Sequence, residues 1–158
     1  MRLSAFFTRP EKTLKPHASD PQQHKVYTME RGILGSSINT HCPREHLEAV
    51  VRHACGKYKV PAPKLTIVNK KTRIFGWSGD DGIDLNRWHH GDNLGTLLHE
   101  LAHWIADQLH EEGAKHNHGP EFVGIYANLL HSYKLLPLEC FKLLARKYGI
   151  EMISHPLP

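Results

Sequence analysis

"LLHELAHW", residues 97–104, sets two histidines four positions apart around a glutamate, inside a run of leucines. Leu94, Leu97, Leu98, Leu101, Trp104 and Ile105 recur at helical spacing. The stretch therefore reads as an amphipathic helix, capped by Asp92 or Asn93 and running to about His110. On it His99 and His103 lie one turn apart and project from the same face, which suits two legs of a tetrahedral zinc site. Glu100 is turned by about 100° from His99, so it sits beside such a metal and not on it. A carboxylate there can take a proton from a zinc-activated water and return it to a leaving amine. In a chain with 14 histidines the pattern alone is a weak signal. Its setting strengthens it, because an unpartnered glutamate against so much apolar surface is costly.

A catalytic zinc site of this kind needs a third protein ligand. The metzincin spacing is excluded, since Ala106 and Leu109 occupy the positions where it requires glycine and histidine. Downstream, "KHNHGPEF" (115–122) offers His116, His118 and Glu121. The stretch Glu111-Glu112-Gly113 gives the chain room to fold back, and Gly119 permits close backbone approach. Residue type alone leaves the choice open, with His116 reading best as a surface residue. Asp107, one turn past His103, is a candidate to orient its ring. Tyr126 and His131, on the following helix, are candidates to donate to a tetrahedral oxyanion. For all three, ordinary packing or solvation is at least as good a reading.

"HELAH" followed by "HGPEF", with His118 fifteen residues after His103, resembles the SprT-like (Spartan-type) metallopeptidases. The resemblance runs from about Gly82 to Leu130, and extends weakly through "KVYTMER" and "YGIEM" to small bacterial and phage metallohydrolases. It implies a zincin-like domain in which His99, His103 and His118 bind Zn2+ and Glu100 is the catalytic base. It also implies a protein or peptide substrate and association with single-stranded or junction DNA. The cysteine-rich zinc ribbon that such proteins often carry has no counterpart here, so the resemblance covers the catalytic core.

The bulk composition is compatible with this. A chain of 158 residues, 40% hydrophobic and 23% charged, reads as one ordinary globular domain able to bury a core without staples. Cys42, Cys55 and Cys140 are few, odd in number and form no CxxC pair, so neither a disulfide framework nor a zinc ribbon can be read from them, which fits a reducing, cytoplasmic location. The opening "MRLSAFF" is too short for a signal-peptide core, and no apolar run approaches membrane-spanning length.

Charge is uneven: Arg44 to Arg73 holds eight Lys/Arg against two Glu, and Gly76 to Ile125 nine Asp/Glu against two basic residues. Lys57, Lys59, Lys64, Lys70, Lys71 and Arg73 form a candidate phosphate-binding cluster. Phe75 and Trp77 beside it are candidate stacking surfaces. Trp77, Trp88 and Trp104 otherwise read as packing residues.

Along the chain, residues 1–19 read as a mobile basic arm and 20–158 as the domain. Asp20-Pro21 reads as the start of a short helix with Val26, Met29, Glu30 and Ile33 on one face, ending before Gly35-Ser36-Ser37. Pro43 opens a second helix, with Leu47, Val50, Val51, Ala54 and Tyr58 in register, stopped by "VPAP" (60–63). "KLTIVN" (64–69) and "TRIFGWSG" (72–79) alternate like strands of a hairpin turning at Lys70-Lys71. "GIDLN" (82–86) reads as an edge strand able to pair with an extended substrate. Helices follow from Pro120 and from Pro137, the last closed by Gly149. The expected layout is α+β, a short sheet packed on helices. Two rival functions share these residues: a metallohydrolase of a small non-peptide substrate, and a non-catalytic zinc-containing DNA-binding or regulatory module.

Overall fold

The leucine stripe of 94–105 becomes the helix around which the other elements are arranged. The computed structural model describes residues 20–33, 40–110 and 117–155. The 1–19 arm, the Gly35-Ser36-Ser37 stop, the Glu111-Glu112-Gly113 connection and His116 lie outside the described residues. Within them are five helices and one three-stranded sheet, an α+β architecture. The helices are α1 (Gln23–Ile33), α2 (Arg44–Tyr58), α3 (Leu94–Leu109), α4 (Pro120–Ser132) and α5 (Leu138–Tyr148). The strands are β1 (Leu65–Val68), β2 (Gly76–Gly79) and β3 (Gly82–Asn86). No helix among the described residues is long and apolar enough to cross a membrane.

Helix α3 packs on α4, α2, β2 and β3, and Leu97, Leu98, Leu101 and Ile105 are fully buried. Of the two candidate caps, Asn93 performs the role: its side chain accepts from Thr96 N at 2.9 Å. Asp92 is buried and accepts from Arg87 Nε at 2.9 Å and His41 Nδ1 at 2.8 Å, pinning the loop that feeds the helix. Helix α4 meets α3 through Phe122, Ile125, Tyr126 and Leu129, with Pro120 in its first turn. α5 ends at Gly149 in the left-handed conformation, as its sequence suggests.

The sheet differs from expectation. "KLTIVN" and "TRIFGWSG" do not form a hairpin, because β3 lies between them in the order β1-β3-β2. β1 runs parallel to β3 (Leu65↔Ile83 to Val68↔Asn86), and β2 runs antiparallel to it (Gly76↔Leu85 to Gly79↔Gly82). Loop length explains the choice. Two residues, Asp80-Asp81, join β2 to β3 as a tight hairpin, whereas the Val68–Gly76 connection is long enough to cross over. Asn86 holds that connection: its Nδ2 donates to Lys70 O and Ile74 O at 2.9 Å each, and its Oδ1 accepts from Lys70 N at 3.1 Å. "GIDLN" is therefore the central strand, paired on both sides and closed to strand addition. The edge beside α3 belongs to β2.

Past α5 the chain returns across α4. Ile153 N donates to Pro120 O at 3.0 Å, and Asn128 Nδ2 to His155 O at 3.0 Å. Gly124 permits this crossing, since a Cβ there would lie 1.9 Å from Ile153 O. Gly56 in α2 is the opposite case, with nothing within 4 Å of a Cβ. Gly124→Ala is expected to destabilise the fold by about 1–3 kcal/mol through overpacking. Gly56→Ala should stabilise it by up to about 1 kcal/mol through helix propensity. Thermal melts of the two variants should shift in opposite directions; a neutral Gly124→Ala would mean that the strap is not seated on α4.

Candidate metal centre

Three imidazoles converge beneath the pocket-facing side of α3. His99 and His103 come from adjacent turns of α3, and His118 from the residue before the Gly119 cap of α4. His103 Nε2 lies 3.2 Å from His99 Nε2, and His118 Nε2 lies 3.3 Å from the same atom. The three can offer ligand atoms that all lie within 4.8 Å of one another, so the buried cluster could hold a metal ion. Phe122 walls it, stacked on His103 at 4.3 Å between ring centroids and edge-on to His99 at 5.1 Å.

The outer nitrogens decide what this convergence means. His99 Nδ1 is 2.7 Å from Glu30 Oε1, and His118 Nδ1 is 2.8 Å from Asp20 Oδ2. A carboxylate accepts, so each Nδ1 carries a hydrogen and Nε2 is the nitrogen that each ring turns toward the convergence. The two Nε2 atoms, 3.3 Å apart, are the atoms these rings could offer to a metal ion. Burial alone would lower the His99 pKa. The charge and hydrogen bond of Glu30, with help from Glu100 and Asp20, outweigh it and raise the pKa above the ordinary histidine value.

Glu100 lines the same open pocket as the three histidines, together with Tyr27, Arg73 and the β2 residues Gly76, Trp77 and Ser78. It is pressed against β2: a Cβ at Gly76 would lie 2.8 Å from Glu100 Cγ and 2.9 Å from its Oε1. Asp107 also lines the pocket, one turn beyond His103.

The remaining candidates lie elsewhere. Glu121 is in the first turn of α4 and close enough to His155 to influence it, and it is absent from the pocket lining. Tyr126 is not positioned to donate into the pocket. It is buried beneath His99 with its hydroxyl directed to Glu30, and burial and that carboxylate keep its pKa well above the ordinary phenol value. His131 is exposed at the far end of α4, where its Nδ1 accepts from Leu138 N at 3.3 Å. Lys57, Lys59, Lys64, Lys70, Lys71 and Arg73 are all exposed. Phe75 is buried and unable to stack on a base, whereas Trp77 and Trp88 are 42% and 50% exposed and are not core residues. Trp104 does pack, and its Nε1 donates to Pro61 O at 2.8 Å.

Asp20 and Glu30 escaped the sequence reading as site residues, and one signal for Glu30 was present. A carboxylate on the Val26–Met29–Ile33 face has to find a partner once that face is buried. Asp20 looked like a helix cap, and Gly76 carried no signal at all. No protein-family model, no curated protein and no solved structure matches this chain.

Metal analysis of the purified protein should find one divalent ion per chain, released by chelators and by acid, since the ligand histidines must be deprotonated. His99→Ala, His103→Ala and His118→Ala should each lose it, and Glu121→Ala should keep it. Retention in His118→Ala with loss in Glu121→Ala would assign the third ligand to Glu121.

Proposed function

We propose that this chain is a zinc-dependent metallopeptidase of the SprT-like type with a zincin-like fold, in which His99, His103 and His118 hold Zn2+ and Glu100 is the general base. The observation that carries this reading is the meeting of both motifs in one place: three Nε2 atoms converging beside a glutamate in an open pocket bordered by a sheet edge. Zinc–nitrogen bonds of about 2.0–2.1 Å in tetrahedral geometry require nitrogens about 3.3–3.4 Å apart. The His99–His103 and His99–His118 separations of 3.2 and 3.3 Å are close to that spacing. Imidazole donors with a carboxylate nearby also match zinc better than the oxygen-seeking magnesium or calcium.

Zinc bound there supplies Lewis acidity, which makes water acidic near neutral pH and polarises a carbonyl. The chain's own residues do the rest. Glu100 accepts the proton of the attacking water as oxygen adds to the peptide carbonyl carbon, then delivers it to the nitrogen as the C–N bond breaks. Gly76 leaves the space in which that carboxylate sits. The outer edge of β2 replaces "GIDLN" as the strand to which an extended substrate adds, with backbone hydrogen bonds fixing the scissile bond beside Glu100. An open pocket bordered by a strand edge favours a peptide over a small enclosed substrate, and the placing of Glu100 in it favours an enzyme over a structural zinc module.

Glu100→Gln should keep fold and metal but lower hydrolysis of an unfolded protein substrate by about 10²–10⁴-fold. Gly76→Ala should keep the metal and lower kcat, because the new methyl displaces the Glu100 carboxylate. Wild-type turnover in metal-loaded Glu100→Gln would remove Glu100 from the mechanism. A wild-type protein active on small amides and inert towards unfolded protein would favour the small-molecule reading.

A nucleic-acid partner is favoured by one placement. Arg73 borders the pocket, and Lys70 and Lys71 precede it on the same loop, with Lys71 Nζ 6.0 Å from the ring centroid of exposed Trp88. Charge and aromatic surface at the mouth of the pocket suit single-stranded DNA. Labelled single strands should bind at low salt and dissociate as salt rises, more weakly for Lys70→Glu/Lys71→Glu. Binding indifferent to salt and to charge reversal would exclude this partner.

A further inference from the structure

The metal centre is finished by a segment remote from it in sequence. Glu30 reaches His99 across 69 positions and Asp20 reaches His118 across 98. Between these two residues, Tyr27 stands edge-on to His118 at 4.9 Å and stacked on His99 at 5.8 Å, centroid to centroid. Gln22 Nε2 donates to the His118 carbonyl at 3.1 Å. Val26 and Met29, both fully buried, seat the helix that carries this group.

Carboxylates gather around these rings. Glu30 is 1% exposed, with His99 as its ion-pair partner among the described residues and the Tyr126 hydroxyl beside it. Asp20 adds a second carboxylate behind His118 and Glu100 a third beside the pocket. Carboxylates on the outer side of the rings favour positive charge on the inner side, which a dication held by the Nε2 atoms would supply.

We infer that Asp20 and Glu30 are positioning residues for a divalent metal, holding the Nε2 atoms of His118 and His99 toward it and balancing its charge, so that docking of α1 and metal occupancy are linked. The inference rests on the metal reading above. Linkage is reciprocal: metal stabilises the docked helix, and the docked carboxylates tighten the metal. Glutamine at position 30 keeps an acceptor for His99 Nδ1 and loses the charge, whereas alanine loses both. Affinity should therefore fall in the order wild type, Glu30→Gln, Glu30→Ala.

The test is a Zn2+ competition titration against a chelating dye, using the full chain of wild type, Glu30→Gln, Glu30→Ala and Asp20→Asn. It is paired with hydrogen exchange over 23–33, with and without zinc. Glu30→Gln and Asp20→Asn are expected to raise Kd about 10–100-fold, and Glu30→Ala further. Zinc should slow exchange in α1 of wild type, and less so in Glu30→Gln. If a variant does not fold, the wild-type exchange comparison still decides the linkage. Variant affinities within twofold of wild type, or α1 exchange indifferent to zinc, overturn the inference and leave the metal site standing. A wild-type chain that binds no zinc overturns both.

Discussion

Three imidazoles can keep their Nε2 atoms gathered at one place only when neighbouring groups hold the rings from outside. Everything around the centre can be understood as meeting that condition. Helix α3 supplies two rings at the one spacing that stacks them on a face. The residue before the α4 cap supplies the third, and carboxylates on α1 and just before it fix which nitrogen of two rings faces inward. The Nδ1 atoms of His99 and His118 are directed outward to carboxylates, and their Nε2 atoms meet at 3.3 Å, where they could serve a metal ion.

The same helix has to be buried and chemically polar at once. α3 resolves this by angular separation. Leu97, Leu98, Leu101 and Ile105 face the core, the two histidines face the centre, and Glu100 faces the pocket beside β2. Each direction is served by a different neighbour, with α4 and α2 on the apolar sides and the sheet edge on the reactive side. The glutamate can therefore sit against protein without being sealed away from a substrate. Gly76 makes that possible on the sheet side, where any larger residue would contend with the Glu100 side chain for the same space.

Features encoded by neighbouring residues were legible in the sequence, and those encoded by distant pairings were not. Period and capping located α2, α3, α4 and α5 almost to the residue, because leucine spacing, Asn93, Pro120 and Gly149 act within one turn of themselves. The meeting of His99, His103 and His118 was legible through two short motifs, each local. Strand order failed because alternation identifies strands and says nothing of partners. The tight Asp80-Asp81 turn competed with the longer Lys70-Lys71 stretch, and the shorter connection took the hairpin. The oxyanion candidates Tyr126 and His131 had the right chemistry and the wrong direction, which depends on how α4 is rotated against α3. Asp20 was invisible as a site residue, and Glu30 showed only as a carboxylate on an apolar face, because their partners are 98 and 69 positions away.

Those separations bear on how the centre comes together. His99 and His103 are in place as soon as α3 forms, since one helix holds both. His118 is different: its ring is held by Asp20, its carbonyl accepts from Gln22, and Gln22 Nε2 also donates to Glu151 O at 3.1 Å. Glu151 belongs to the strap that crosses α4 at Gly124. The third ligand thus depends on contacts from both ends of the described chain, which close over it only after the long loops between them have been paid for in entropy. Two legs of the site are properties of a helix, and the third is a property of the whole fold. An intact centre therefore reports that both ends of the described chain have closed on the core, whereas a bare α3 offers two ligands and no enclosure.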